Sequence, residues 1–165
     1  MAVREIRLFG DPVLRSATDS IDSVNDSVHA LVRDLLDTVS LAGRAGVAAN
    51  QIGVGRRAFS FNIDGRLGYI LNPVLVETRG EPALVDEACL SVPGLGYPRL
   101  RYPWARVTGT NLAGEPIELS GDGLMAQALQ HETDHLDGRV YVEGLDPLTK
   151  RQAMREIRES DWFQR

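Results

Sequence analysis

The sequence has a single cysteine, no long uninterrupted apolar run and no excess of basic residues. One cysteine, Cys89, excludes a disulfide within the chain and is typical of a reducing compartment, so we expect a cytoplasmic location. The apolar stretches are too short to predict a membrane span, and the mixed charges of the first eight residues do not resemble a signal peptide. A net charge of −5 gives no basic surface for specific nucleic-acid binding.

The composition is that of one globular domain. Apolar residues make up 43% and charged residues 25% of the 165 residues, which is ordinary for a globular protein. No internal repeat, low-complexity stretch or linker divides the sequence. We therefore expect a single domain over residues 1–165.

Hydrophobic periodicity predicts three helices. Apolar residues recur at helical spacing over about residues 23–40, and Gly43 lies just past the end of this N-terminal helix. A central helix is expected over residues 123–137, where Gly138 is placed to end it. The segment 147–160 predicts a mostly polar C-terminal helix.

The middle of the chain predicts strands. Residues 59–63 alternate apolar and polar side chains, and an Asp-Gly turn would return the chain over residues 67–71. Pro73 should limit the next strand to an edge or a strand start. Residues 104–110 and 117–119 predict a second hairpin. With no repeating βαβ unit, the pattern predicts an α+β fold, with antiparallel sheets packed around the central helix.

The central helix contains the sequence His131-Glu132-Thr133-Asp134-His135. Two histidines four residues apart project from one helix face, so both imidazoles can reach one metal ion while Glu132 stays free to transfer protons. Leu124 and Ala128 share this face, which we expect to be buried. Buried imidazoles need partners, and a metal ion would satisfy both. A pair of core histidines bonded to backbone groups is the alternative.

A hydrolytic centre with two histidines needs a third protein ligand, because such sites keep one position for water. A downstream carboxylate, such as Glu156 or Glu159, would give the ligand set of a zinc endopeptidase. The other candidate is Cys89, although a lone cysteine is commonly just a small buried hydrophobic residue. These residues alone leave both ligand sets open.

Three segments resemble the motifs of the peptide deformylase family. Residues 87–91 (Glu-Ala-Cys-Leu-Ser) resemble its Glu-Gly-Cys-Leu-Ser motif, and residues 131–135 resemble its His-Glu-x-Asp-His motif. Residues 44–51 match Gly-x-Gly-x-Ala-Ala-x-Gln at all but the first position, and residues 10–15 are similar to the opening of that family. The segments occur in the family order. The resemblance implies removal of the formyl group from N-terminal formylmethionine of newly made polypeptides.

The resemblance also implies a metal centre. Cys89, His131 and His135 would hold one divalent ion, with Fe²⁺ expected natively and Zn²⁺, Ni²⁺ or Co²⁺ able to fill the same site. Glu132 would accept a proton from water and later deliver it to the leaving amine. The partners implied are N-formylmethionyl peptides on nascent chains.

Further residues receive roles from the same resemblance. The Gln51 side-chain amide and the Leu90 backbone N–H would stabilise the oxyanion of the tetrahedral intermediate. Gly46 would let the substrate backbone approach closely. Because they share the ligand face of the helix, Leu124 and Ala128 are expected walls of the pocket for the methionine side chain.

The remaining residues either support the cysteine loop or depart from the family motifs. Glu87 and Arg101 resemble an ion pair that braces the cysteine loop, with an exposed surface pair as the alternative. Arg44 stands where the first motif has a glycine, and Ala88 replaces the glycine of the second. If position 44 required a positive φ, arginine would strain the backbone, and Gly43 would absorb part of the turn. These departures leave a catalytically weakened metal-binding homologue as an alternative function.

The C-terminal helix carries a basic stripe formed by Arg151, Arg155 and Arg158. A transient contact of this helix with ribosomal RNA is a hypothesis. Neighbouring acidic residues dilute the stripe and favour an ordinary solvated face.

Overall fold

The computed structural model describes residues 2–164, which form an α+β fold with three α-helices and seven strands. This confirms the predicted fold class. Within the described residues, no helix combines the length and the apolar character needed to cross a membrane. The elements are α1 (Asp26–Val39), β1 (Gly46–Ala48), β2 (Ala58–Ile63), β3 (Arg66–Arg79), β4 (Ala83–Ala88), β5 (Gly96–Arg101), β6 (Trp104–Thr110), β7 (Pro116–Asp122), α2 (Gly123–Leu136) and α3 (Pro147–Glu159).

The main sheet has five antiparallel strands in the order β1-β2-β3-β6-β7, with a helix on each face. The alternation of β2 explains this arrangement, because successive side chains point to opposite faces. Phe59 and Phe61 pack with α2, whereas Ala58 packs with α1. The Ser60 hydroxyl, on the α1 side, donates to the Leu35 carbonyl at 2.9 Å. The sheet thus separates two hydrophobic clusters.

Helix α1 begins at Asp26 rather than near residue 23, because Asn25 is the residue that caps it. The Asn25 side chain accepts a hydrogen bond from the Val28 backbone N–H at 3.2 Å, which satisfies one of the free donors of the first turn. Gly43 follows the helix with a φ of 82°. The predicted α2 lies where expected, and Gly138, with a φ of 80°, terminates it.

Strand β3 continues through Pro73, so the expectation that this proline limits the strand was wrong. The ladder with β6 shifts register between Leu71 and Val74, which is a position where proline is tolerated because no ladder hydrogen bond is lost. Asn72 adopts a φ of 50° there. Its side chain exchanges hydrogen bonds with the Ile21 backbone, at 2.8 Å and 2.9 Å.

Strands β4 and β5, which the sequence patterns did not predict, form a separate two-stranded sheet. The loop between them begins with Cys89, whose side chain lies beside His135 of α2. A third hydrophobic cluster joins the loop to α3, with Ala153 and Ile157 fully buried. The N-terminal segment ties this loop to the segment after β1: the Arg7 N–H donates to the Gln51 carbonyl at 2.7 Å and the Phe9 N–H to the Ser91 carbonyl at 2.8 Å.

Candidate metal centre and active site

Helix α2 and the loop after β4 bring Cys89, His131 and His135 together. The Cys89 Sγ lies 3.2 Å from His135 Nε2, and that nitrogen lies 3.2 Å from His131 Nε2. All three ligand atoms are buried and lie within 4.8 Å of one another. Two imidazole lone pairs facing each other repel unless a proton or a cation lies between them. One soft thiolate and two imidazoles therefore form a donor set that fits a divalent transition-metal ion.

A buried ion pair fixes the His131 ring. His131 Nδ1 lies 2.9 Å from a Glu87 carboxylate oxygen, so this nitrogen carries the proton and Nε2 is directed into the site. Arg101 donates to both oxygens of Glu87, at 2.9 Å and 2.6 Å, and to Asp134 at 2.8 Å. Both side chains of the Glu87–Arg101 pair are almost fully buried, 2% and 5% exposed, so the pair is not a surface one.

The charges of the site shift its pKa values. Burial alone would raise the pKa of Glu87, but hydrogen bonds from Arg101 and His131 outweigh it and lower that pKa to about 2. Burial opposes protonation of His131, yet Cys89 and Glu87 raise its pKa well above the ordinary value. Burial and the neighbouring His131 lower the pKa of His135. The pKa values of the two neighbouring imidazoles are therefore shifted in opposite directions.

Glu132 lies between the two histidines and faces Gly46 of β1. Burial raises the pKa of Glu132 to about 7, against the opposing charge of His131. A Cβ atom added to Gly46 would lie 2.8 Å from the Glu132 Cδ and 2.9 Å from its Cγ, closer than carbon atoms pack. The glycine therefore leaves room for the Glu132 carboxylate, a requirement that the sequence did not reveal. Within residues 2–164, the Glu132 Oε2 has no hydrogen-bond partner.

Gln51 lies in a short 3-10 helix, Ala49–Ile52, directly after β1. Its Oε1 accepts from the Ala48 backbone N–H at 2.9 Å, which fixes the orientation of the side-chain amide. Its Nε2 lies 3.6 Å from Cys89 Sγ and 3.2 Å from the Ser91 hydroxyl. The amide N–H groups are consequently directed at the metal-ligand cluster.

A cavity of about 700 Å³ opens over this cluster. Its walls come from the segment around β1, from the loop after β4 and from α2. The expected substrate-contact residues Gly46, Leu90, Leu124 and Ala128 all line it. The expectation that this helix face is buried was wrong at Leu124, which is 49% exposed, whereas Ala128 is 7% exposed. Leu124 lies in the first turn of α2 and forms the rim, and Ala128 forms a deeper wall.

The two departures from the family motifs line the same cavity. Arg44 is not among the residues with a positive φ, whereas Gly43 has a φ of 82°. Position 44 thus imposes no backbone strain on an arginine. Ala88 is exposed and pairs with Gly96 across β4 and β5, so its methyl group forms part of the cavity lining beside the ligand loop.

Several contacts of the site were not found from the sequence. The Tyr141 ring packs on His131 with a centroid distance of 6.0 Å, and the Asn50 side chain donates to the His135 carbonyl. No local pattern indicated either residue. Asp134, which binds Arg101, could have been found, because it is the fixed aspartate of the His-Glu-x-Asp-His segment. Glu156, the alternative third ligand, instead accepts a 2.5 Å hydrogen bond from Tyr97.

An α+β fold with a buried Cys-His-His group and a carboxylate at one cavity is the arrangement of a metal-dependent hydrolase. A family model described as polypeptide deformylase matches residues 3–151. The peptide deformylase of Acidothermus cellulolyticus is 46% identical over 162 residues, 98% of this chain and 89% of that protein. The crystal structure of a peptide deformylase from Legionella pneumophila superposes with a TM-score of 0.90 at 34% identity, covering 99% of this chain and 98% of that one. That of Ehrlichia chaffeensis in complex with actinonin has a TM-score of 0.87 at 29% identity, covering 98% and 99%.

The chain belongs to the peptide deformylase family, hydrolases that remove the formyl group from the N-terminal methionine of newly made polypeptides. The resemblance seen in the sequence is confirmed. Neither the zinc endopeptidase nor a weakened, merely metal-binding homologue receives support.

Proposed function

We propose that this chain deformylates nascent N-formylmethionyl peptides through one metal centre built from Cys89, His131 and His135. The observation that carries this proposal is the convergence of three separate sequence motifs on one cavity. The segment around Gly46 and Gln51, the cysteine loop and α2 meet there. Each brings a different chemical group to the same small volume.

The metal-ligand role rests on the donor set and its support. Glu87 accepts the His131 Nδ1–H and is itself held by Arg101, which supports Nε2 as the coordinating atom. When bound, a divalent ion supplies Lewis acidity that polarises a carbonyl and lowers the pKa of water. We assign Fe²⁺ as the native ion, with Zn²⁺, Ni²⁺ and Co²⁺ as substitutes that the same ligands accept.

Glu132 is assigned the proton transfer. Its buried carboxylate has a pKa of about 7, a value at which one group can both accept and donate a proton near neutral pH. It accepts a proton from the attacking water as the new C–O bond forms. It then delivers that proton to the amine nitrogen as the C–N bond breaks, which leaves formate and a free amino terminus.

Gln51 and Leu90 are assigned the stabilisation of the oxyanion. The anchored Oε1 of Gln51 supports a donor role for its Nε2, since an amide held in advance needs no reorientation during the reaction. The backbone N–H of Leu90, beside Cys89 in the same cavity, is the second donor. Removal of such a donor typically reduces the rate on the order of 10²-fold or more.

The substrate is held along β1. This strand is at the edge of the sheet, and an extended peptide can add to a strand edge through main-chain hydrogen bonds. Gly46 begins this strand and lines the cavity, so we propose that its main chain contacts the peptide. The apolar side chains of Leu124 and Ala128 are the walls that would contact the methionine side chain.

The test is formate release from formyl-Met-Ala-Ser by protein prepared with ferrous iron under anaerobic conditions, together with its metal content. We expect one bound ion per chain and formate release. Cys89→Ala should lose the ion, whereas Glu156→Gln, which alters the alternative carboxylate ligand, should retain it. Absence of formate release by the unmutated protein, or retention of metal by Cys89→Ala, would contradict the proposal.

We assign the activity to the cytoplasm, where nascent chains emerge, and propose a transient contact of α3 with ribosomal RNA. Arg151, Arg155 and Arg158 are exposed and border a surface groove of about 690 Å³. Glu156, which accepts hydrogen bonds from Tyr97 and Gln152, remains an acidic group on the same helix. The proposal therefore rests on the three arginines as the groups that would meet RNA phosphates.

Replacement of the three arginines by glutamine tests this contact without removing the helix, whose Ala153 and Ile157 belong to the core. We expect reduced co-sedimentation with ribosomes at low salt. The matched control replaces the exposed Arg33, Arg56 and Arg66, which lie outside α3. Equal co-sedimentation of both variants and the unmutated protein would rule out the contact.

A further inference from the structure

Arg44 holds a positive charge at the mouth of the catalytic cavity. It lies in the short connection between α1 and β1, lines the cavity and is half-buried. Its Nη1 donates to the Thr38 carbonyl at 2.9 Å, and its backbone N–H donates to the Leu41 carbonyl at 3.3 Å. The first bond holds the side chain against the end of α1, and the second fixes the backbone of the connection.

The charge of Arg44 is not neutralised within the protein. Among residues 2–164, its guanidinium forms no salt bridge. The bond to Thr38 uses a neutral carbonyl and leaves other guanidinium N–H groups available. The two carboxylates that line the cavity are both only 3% exposed, and one of them, Glu87, is already paired with Arg101. Arg44 is therefore a positive charge at the cavity mouth without an ion-pair partner among the described residues, on a chain of net charge −5.

The position of Arg44 relative to β1 determines what it can meet. Gly46 begins the edge strand, and Arg44 precedes it by two residues, or about 7 Å along an extended chain at about 3.3 Å per residue. A peptide whose formylmethionine lies at the metal ligands must leave through the mouth. Its next few residues then pass within reach of a long arginine side chain.

We propose that Arg44 is a specificity-determining residue that favours formylated peptides with an aspartate or glutamate at the second or third position. This rests on the proposed function of the cavity. A guanidinium that has free N–H groups and no carboxylate partner is well suited to bind a carboxylate, by two parallel hydrogen bonds. The glycine of the family motif at this position offers no such group.

The experiment compares kcat/KM for matched pairs of C-terminally amidated peptides, so that no terminal carboxylate contributes. The pairs are formyl-Met-Ala-Asp with formyl-Met-Ala-Asn, and formyl-Met-Asp-Ala with formyl-Met-Asn-Ala. For the unmutated enzyme at low salt, we expect kcat/KM to be roughly 3- to 5-fold higher for the aspartate peptide than for the asparagine peptide in at least one of the two pairs. This is the range of a solvent-accessible ion pair. Because each ratio is taken on one protein, a change in overall rate cancels.

Arg44→Gln should reduce this ratio to about one, and Arg44→Lys should keep part of it. The matched control Arg66→Gln, an exposed arginine at the start of β3, should keep the full ratio. Salt at about 0.5 M should reduce the preference, because it screens exposed charges. A ratio of one for the unmutated enzyme, or an unchanged ratio in Arg44→Gln, would overturn the inference. If the unmutated enzyme released no formate from the asparagine peptides either, the proposed function itself would fail.

Discussion

Helices α1 and α2 have the same length, 14 residues, but α2 buries many more polar side chains than α1. Six residues of α1 are buried, and all but Thr38 are apolar. Ten residues of α2 are buried, and five of them are polar or ionisable. Burial of α1 therefore stabilises the fold, whereas burial of α2 also encloses ionisable groups at the cavity. The five are Gln130, His131, Glu132, Thr133 and His135.

The buried polar groups of α2 differ in how they are satisfied. Gln130 bonds the Tyr102 backbone at both its N–H and its carbonyl, each at 3.0 Å. The Thr133 hydroxyl donates to the Leu129 carbonyl at 2.7 Å. Among the described residues, the unpartnered atoms of α2 are Glu132 Oε2 and His135 Nδ1. The helix thus leaves buried polar atoms unpaired at two residues assigned to the reaction. Glu132 lines the cavity, whereas His135 is fully buried behind it.

The strongest test of this difference is Glu132→Gln. We expect kcat/KM for formate release to fall by a factor on the order of 10²–10⁴, because the proton-transfer group is lost. Metal content should stay the same. The free energy of unfolding should be unchanged or higher, since a buried carboxylate is replaced by a neutral amide of similar size. His29→Gln, on the exposed face of α1, is the control. A rate within tenfold of the unmutated enzyme would argue against the assigned role.

The converse test is Leu35→Ala on α1. Leu35 is fully buried, so its truncation should reduce the free energy of unfolding by about 2–5 kcal/mol. The rate per folded molecule should not change, because the side chain does not line the cavity. Denaturant titration and formate release measure the two effects. Val24→Ala, 37% exposed, should stay within about 0.5 kcal/mol; equal losses for both variants would contradict the comparison.

Acid should lower the free energy of unfolding, because it protonates Glu87, which binds His131 of α2. The pKa of Glu87 is lowered from 4.5 to about 2 in the folded protein, so its contribution is fully present above the unfolded value. It is lost as the pH falls from about 4.5 to about 2, and amounts to about 3 kcal/mol. Unfolding should be followed in that window in the presence of a chelator, so that metal release adds nothing. Glu87→Gln should show a flatter pH dependence; parallel curves would exclude this contribution.

The smallest expected effect is at the start of α1. Asn25→Ala removes the side chain that caps Val28 and should reduce the free energy of unfolding by about 1 kcal/mol. Asn25→Ser keeps a capping oxygen and should recover most of the loss. Chemical denaturation of the three proteins measures both changes. A loss of equal size in the serine variant would show that the cap is not the cause.

The same contrast explains what the sequence could predict. The limits of α2 follow from local signals, since the His-x-x-x-His spacing and Gly138 act within one or two turns. The segment of Arg44 to Gln51 was likewise recognisable from its motif. In contrast, β4 and β5 were missed because their residues do not alternate between apolar and polar. They are joined by the loop of residues 89–95 rather than by a two-residue hairpin turn that the sequence would reveal.

The contacts that hold the site were least accessible from the sequence. Gly46 was expected to admit the substrate backbone. Its contact with Glu132 joins two elements that lie far apart in the sequence. Tyr141 packs on His131 from beyond the end of α2. Such contacts arise only from the tertiary arrangement, because no periodicity or spacing encodes them.

Strand β1 has only three residues, and a 3-10 helix follows it at once. An open strand edge invites other chains to add to the sheet, and proteins often limit this by keeping edge strands short. An edge of this length can hold one or two residues of a peptide but offers little for a second copy of the chain. Main-chain pairing is also indifferent to side chains, so a short edge would let one enzyme process many different nascent sequences without promoting its own aggregation.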